Sequence, residues 1–85
     1  MNMQMRASDT RWLTPVYVRI GHEVPEAIRS PREALNQLLY RWPPVYGEAY
    51  HLAKQRCSLA MAGKTSCEAS REAFIMACIE AKVLD

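Results

Sequence analysis

The sequence contains no apolar run approaching the roughly 18 residues that a membrane-crossing helix needs. Residues 1–10 carry scattered methionines without a continuous apolar segment, so we expect no secretory signal. The sequence also contains no internal repeat and no low-complexity tract. Its formal net charge of +2 is too small to indicate a nucleic-acid partner by itself. We therefore expect a cytoplasmic protein that does not enter a membrane.

The sequence also lacks closely spaced pairs of cysteines. Cys57, Cys67 and Cys78 cannot all pair within one chain, and none belongs to a C-x-x-C unit. Reduced thiols in a cytoplasmic protein are the simplest interpretation. Structural zinc sites usually take their ligands as tight pairs, and neither His22 nor His51 lies next to a cysteine. We expect no metal ion and no other cofactor.

The composition itself is that of a small folded protein. The chain has 85 residues, of which 49% are hydrophobic and 24% are charged. This balance argues against a chain that is disordered throughout, and the length suits one domain. We predict a disordered tail over residues 1–10 and a single domain over residues 11–85.

The clearest local signal is a helix start at Ser30-Pro31-Arg32-Glu33. Serine can cap the first free amides, proline suits the first helical position, and an acid three residues after the cap can reach back. The helix should run to about Arg41, because Trp42 precedes a proline. Its predicted inward face is Ala34, Leu35, Leu38, Leu39 and Trp42, with Arg32, Asn36, Gln37 and Arg41 facing water.

Two further helices are predicted. One fits residues 48–62 and stops at Gly63, and Thr65-Ser66-Cys67-Glu68 opens another that runs to about Lys82. The inward face of the first should use Ala49, Leu52, Ala53, Cys57, Ala60 and Met61. The second should turn inward Ala69, Ala73, Met76, Ala77 and Glu80, while Ile75 and Ile79 form another apolar strip. That second strip suggests that this helix is contacted on more than one side.

Two strands precede the helices. Residues 15–20 alternate, with Val16, Val18 and Ile20 on one side, and residues 26–29 offer a second strand with Ile28 inward. We predict an α+β fold in which an N-terminal antiparallel β-hairpin packs on three α-helices. A two-stranded hairpin is only marginally stable alone, so it must lean on the helices or gain another strand. Its exposed edge is a natural place for a second copy to pair.

The chain resembles the domain of unknown function 982 family, small uncharacterised proteins found largely in root-associated alphaproteobacteria. The resemblance covers nearly all of residues 12–82. It is carried by Pro15-Val16-x-Val18, Ser30-x-x-Glu33-Ala34-Leu35, Arg41-Trp42-Pro43, Gly47-x-Ala49, Cys57, Ala60, Gly63 and Arg71-x-Ala73-Phe74-Ile75-x-Ala77. It implies a small stand-alone domain and transfers no activity.

Few residues of the sequence suggest a catalytic site. Glu48 and His51 lie three apart on one helix and could touch, but a surface pair explains them more simply. Cys67 lies in the first helical turn, where the helix dipole can activate a thiol. We expect a protein that is not an enzyme, with a site at His51 or Cys67 as a remaining hypothesis.

Our leading hypothesis is a non-enzymatic protein-interaction or regulatory module, expected as a homodimer through the hairpin edge or an aromatic surface. Tyrosine is enriched where proteins touch. The residues predicted for this surface are Tyr17, Tyr40, Trp42, Tyr46 and Tyr50.

The alternative is weak nucleic-acid binding through Arg41, Lys54, Arg56 and Lys64. Two helices around Gly63 resemble a helix-turn-helix in outline. However, the first turns of the second helix carry Glu68 and Glu72, which would repel phosphate. We therefore consider nucleic-acid binding a weaker hypothesis than binding of a protein partner.

Overall fold

The computed structural model describes residues 11–85, so the predicted tail over residues 1–10 lies outside the described part of the chain. The elements follow in the order β1 (Val16–Val18), β2 (Glu26–Ile28), α1 (Pro31–Tyr40), α2 (Glu48–Met61) and α3 (Cys67–Ala81). The fold is α+β, with the strands antiparallel, as predicted. Among residues 11–85, none of the helices combines the length and the apolar character that crossing a bilayer requires.

The hairpin gains a partner at the outer edge of β1. Val18 forms a bridge with Leu84, the Arg19 N–H donates to the Val83 carbonyl at 2.9 Å, and the Asp85 N–H donates to the Tyr17 carbonyl at 3.0 Å. The chain's own C-terminal residues therefore cover the edge of β1. The edge of β2, which is three residues long, is the part of the hairpin that is still available for pairing with a second copy.

Serine side chains cap two of the helices. Ser30 Oγ accepts from the Glu33 N–H at 3.1 Å, and the Glu33 carboxylate accepts from the Arg29 N–H at 2.8 Å. The predicted cap of α1 is therefore confirmed, with its acid reaching one residue further back than the cap. At α3 the capping residue is Ser66, whose Oγ accepts from the Ala69 N–H at 3.0 Å. Each helix ends within about one residue of its predicted end.

The start of α2 is capped from a distance. The residue before it is Gly47, which has no side chain to offer. The Glu80 carboxylate on α3 instead accepts from the backbone N–H groups of Gly47, Ala49 and Tyr50, at 3.2, 3.1 and 3.3 Å. This contact ties the end of α3 to the start of α2, so the two helices run antiparallel.

The N-terminal segment before β1 belongs to the core. The Trp12 ring lies 5.7 Å from the Phe74 ring between centroids, and its Nε1–H donates to Ser70 Oγ at 3.1 Å. Arg71 Nε donates to the Thr14 carbonyl at 2.8 Å. Trp12, Ser70 and Val83 are buried. None of these three was predicted as a core residue.

Two helix faces are rotated relative to their predicted positions. On α1, Gln37 is buried, with its Nε2 donating to Glu26 Oε1 at 3.2 Å, whereas Leu39 is exposed. On α2, the buried stripe runs along Tyr50, Ala53, Cys57 and Ala60, which leaves Leu52 exposed. The predictions for Gln37, Leu39 and Leu52 are therefore wrong. The reason is that Gln37 on α1 is covered where it reaches Glu26 of β2, while α2 turns its large Tyr50 ring inward.

Candidate interaction surface

Trp42 and Tyr50, two of the five residues predicted for an aromatic surface, lie in the core instead. The Trp42 ring centroid is 5.8 Å from that of Phe74 and 6.4 Å from that of Tyr50. The Tyr50 hydroxyl donates to the Leu38 carbonyl at 2.9 Å. This bond satisfies the only polar group of the Tyr50 side chain, so the ring can be buried without an unpaired hydroxyl.

The other three tyrosines are exposed. Tyr17 is 49%, Tyr40 77% and Tyr46 55% accessible. They lie on β1, at the end of α1 and in the connector before α2, respectively. Tyr46 contacts the ring of Tyr50 at a centroid distance of 4.9 Å. A role of these three side chains in binding stays a prediction.

The four basic residues of the nucleic-acid alternative have different surroundings. Arg41 makes ion pairs of 2.9 Å with both Glu23 and Glu26. Lys54 Nζ lies 5.1 Å from the centroid of the Tyr50 ring. Arg56 is half-buried on α2, and Lys64 is exposed in the loop after that helix. The positive charge of Arg41 is therefore balanced within the chain.

Two of the three cysteines are poor nucleophiles. Burial raises the pKa of the Cys57 and Cys78 thiols from 9.0 to about 12, and the neighbouring Cys67 and Cys57 thiols, respectively, add to the effect. Both thiols are thus neutral at physiological pH. Cys67 is half-buried, and its carbonyl accepts from the Ser70 hydroxyl at 2.6 Å.

His51 is exposed and contacts the Tyr50 ring edge-on, at a centroid distance of 5.2 Å. Among residues 11–85, no three His, Cys, Asp or Glu side chains are grouped so that they could hold a metal ion. The structure therefore brings neither His51 nor Cys67 into a cluster of metal-ligating side chains.

A different surface exposes large apolar side chains on neighbouring helices. Leu52 on α2 is 41% accessible, and Met76 and Ile79 on α3 are 55% and 52% accessible. Leu52 and Met76 line the same groove of about 220 Å³, and Ile79 follows Met76 by one turn on the same side of α3. We call this surface the α2–α3 face; it consists of Leu52, Arg56, Ala69, Glu72, Ala73, Met76 and Ile79.

One pattern in the sequence relates to this surface. Ile75 and Ile79 form an apolar strip beside the inward arc of α3, which predicts contacts on more than one side of that helix. Leu52 and Met76 were expected in the core and are instead the side chains that the groove exposes. The helical spacing therefore assigns Leu52 and Met76 to the wrong side of their helices, and only Ile79 to a side away from the inward arc.

Comparison with known protein families gives one result. The family model described as Protein of unknown function (DUF982) matches residues 14–84 of this chain. The searches of curated proteins and of solved structures found no match. The matched range includes both strands, all three helices of the described residues, and every residue of the α2–α3 face.

Proposed function

This chain belongs to the DUF982 family, and from that premise we propose that it works as a non-enzymatic protein-interaction module whose contact surface is the α2–α3 face. The observation that carries the proposal is the half-exposure of Leu52, Met76 and Ile79 on adjacent helices. A patch of large apolar side chains rimmed by polar residues is typical of a protein contact surface. A second copy of the chain is one candidate partner, as the sequence already suggests.

Other grooves of the described residues support ligand binding less well. A groove of about 310 Å³ contains Arg19 and Asp85, which pair with each other at 3.2 Å. Another, of about 190 Å³, contains Arg41 and Glu26, which pair at 2.9 Å. Arg19, Asp85, Arg41 and Glu26 are thus already paired within the chain, whereas the large apolar side chains of the α2–α3 face are half-exposed.

Nucleic-acid binding is the alternative proposal, and the surface supports it less. Phosphate binding needs several unpaired cations on one side of a protein. Arg41 is held between two carboxylates, and Arg56 shares its groove with the acid Glu72. For location we propose the bacterial cytoplasm, which suits three cysteines that are all free thiols.

Site-specific photo-cross-linking in the cells that produce the protein tests the interaction proposal. A benzophenone amino acid is placed at Met76, and in a matched variant at the exposed Ser58. Ser58 follows Leu52 by six residues, about 600° around α2, so it lies well away from the α2–α3 face. We expect discrete cross-linked proteins from position 76 and none from position 58. No adduct at position 76, or the same adducts from both positions, would overturn the proposal.

A further inference from the structure

The α2–α3 face carries one positive and one negative side chain in its groove. Arg56 lies on α2 and Glu72 lies on α3, and both line the groove together with Leu52 and Met76. Within the described residues neither Arg56 nor Glu72 forms an ion pair. The face therefore combines an exposed apolar centre with two opposite charges, one on each helix.

We infer that this face pairs with the same face of a second copy of the chain, about a two-fold axis parallel to α2 and α3. Such an axis lays α2 of one copy on α3 of the other. Glu80 of α3 contacts the start of α2 and the two helices run antiparallel, so Arg56 lies level with Glu72, and each Arg56 then meets Glu72 of the other copy. In the same way, each Leu52 meets Met76 of the other copy. The inference rests on the proposed interaction function and names its partner.

The charges distinguish this arrangement from the other face-to-face pairing. A two-fold axis perpendicular to the helices would lay α2 on α2 and α3 on α3. It would bring Arg56 towards Arg56 of the second copy, and Glu72 towards Glu72, because both residues lie near the middle of their helices. Like charges facing each other across an interface are unfavourable, so the parallel axis is preferred.

The size of the face predicts a weak dimer. A 14-residue helix is about 21 Å long, and two neighbouring helices span about 20 Å in width. The face thus offers about 400 Å² per copy, roughly half of what a standard stable interface uses. A dissociation constant on the order of tens of micromolar is expected for such a transient contact.

Sedimentation equilibrium of the full-length chain tests the inference. The concentration should run from about 5 to about 500 µM at low salt, a range that brackets weak association. We expect dimers that dissociate as the salt concentration rises. Met76→Glu should weaken dimerisation at least about tenfold, whereas Ser58→Glu, on the opposite side of α2, should leave it unchanged.

A charge exchange tests the axis itself. Arg56→Glu and Glu72→Arg should each weaken the dimer about tenfold, and the double variant should return within about threefold of the wild type. Circular dichroism confirms that each variant is folded. A dimer that is unaffected by Met76→Glu, Arg56→Glu and Glu72→Arg uses another surface, such as the edge of β2, and overturns the inference.

The interaction function and the pairing of two copies can be overturned independently of each other. A strictly monomeric chain at the highest concentration overturns the pairing of two copies. If position 76 still cross-links to a different protein in cells, the interaction function stands with another partner. If position 76 gives no adduct and the purified chain is monomeric, both are wrong.

Discussion

Gly47 lies against the carboxylate of Glu80, 33 residues further along the chain, and the contact leaves no room for a side chain on Gly47. A Cβ at Gly47 would lie 2.6 Å from Oε1 of Glu80. The carboxylate cannot withdraw without losing the three N–H groups at the start of α2. The φ of Gly47 is −84°, which any residue adopts, so space and not backbone conformation requires glycine here.

Removing this long-range cap should destabilise the protein. We expect Glu80→Ala to lower the free energy of unfolding by about 2 kcal/mol, because three amides lose a charged acceptor. Urea unfolding followed by circular dichroism measures the change. The matched control is Glu68→Ala on the same helix, whose carboxylate makes a single exposed ion pair with Arg71 and should cost less than about 0.5 kcal/mol. Equal losses in the two variants would contradict the capping role.

The close contact predicts that the cost of a substitution at Gly47 depends on the presence of Glu80. In the wild-type background, Gly47→Ala should cost about 1–2 kcal/mol, because the new Cβ displaces the carboxylate. In the Glu80→Ala background the same change should cost less than about 1 kcal/mol, since only the ordinary preference for glycine over alanine at an N-cap remains. Unfolding curves of both single variants and the double variant give the coupling energy. Additive effects would show that the two residues do not constrain each other.

Local signals made much of this fold predictable. Ser30 and Glu33 form their cap within four residues, and the breaks at Trp42 and Gly63 are equally local, so helix bounds follow from the sequence. Glu80 was expected on the inward arc of α3, but its partners lie in another helix. No pattern in a single sequence reveals a contact that spans some thirty residues.

The candidate site was harder to predict than the fold. The presence of a tyrosine in the sequence does not show whether its side chain is buried. Tyr50 is buried and its hydroxyl donates to the Leu38 carbonyl, whereas Tyr40 is exposed to solvent. Likewise, helical spacing predicts an apolar stripe on α2 but not its rotation. Leu52 is exposed because Tyr50 and Ala53 occupy the side that faces the core. Burial is decided by neighbouring elements, which the spacing does not show.

The segment before β1 should contribute to stability although it has no regular structure. Trp12→Ala should cost about 3–5 kcal/mol, because it removes a large ring from the core beside Phe74. Trp12→Phe keeps most of the ring but leaves Ser70 Oγ without its donor, and should cost about 1–2 kcal/mol. Leu13→Ala is the neighbouring control, since Leu13 is 99% accessible and should change stability by less than about 0.5 kcal/mol. A Trp12→Ala variant as stable as Leu13→Ala would place this segment outside the core.

The buried thiols predict how stability depends on alkaline pH. Burial raises the pKa of Cys57 and Cys78 from 9.0 to about 12 in the folded chain, whereas the unfolded thiols ionise near the ordinary value. Above about pH 9 the unfolded state therefore holds fewer protons than the folded state, so the free energy of unfolding should fall as the pH rises towards 12. By pH 10 the loss should be about 1.4 kcal/mol per thiol, and at about pH 8 nearly the full stability remains.

Urea unfolding between about pH 8 and pH 10 measures this slope, and Cys78→Ala supplies the comparison. The variant should be less stable at every pH because it leaves a cavity, yet its stability should fall less steeply, since one ionising group is gone. All other residues are the same in the two proteins, so their contributions cancel in the difference. Parallel curves would mean that Cys78 ionises as readily in the folded chain as in the unfolded one. A thiol reagent at neutral pH gives an independent check, because only the half-buried Cys67 should react before the chain unfolds.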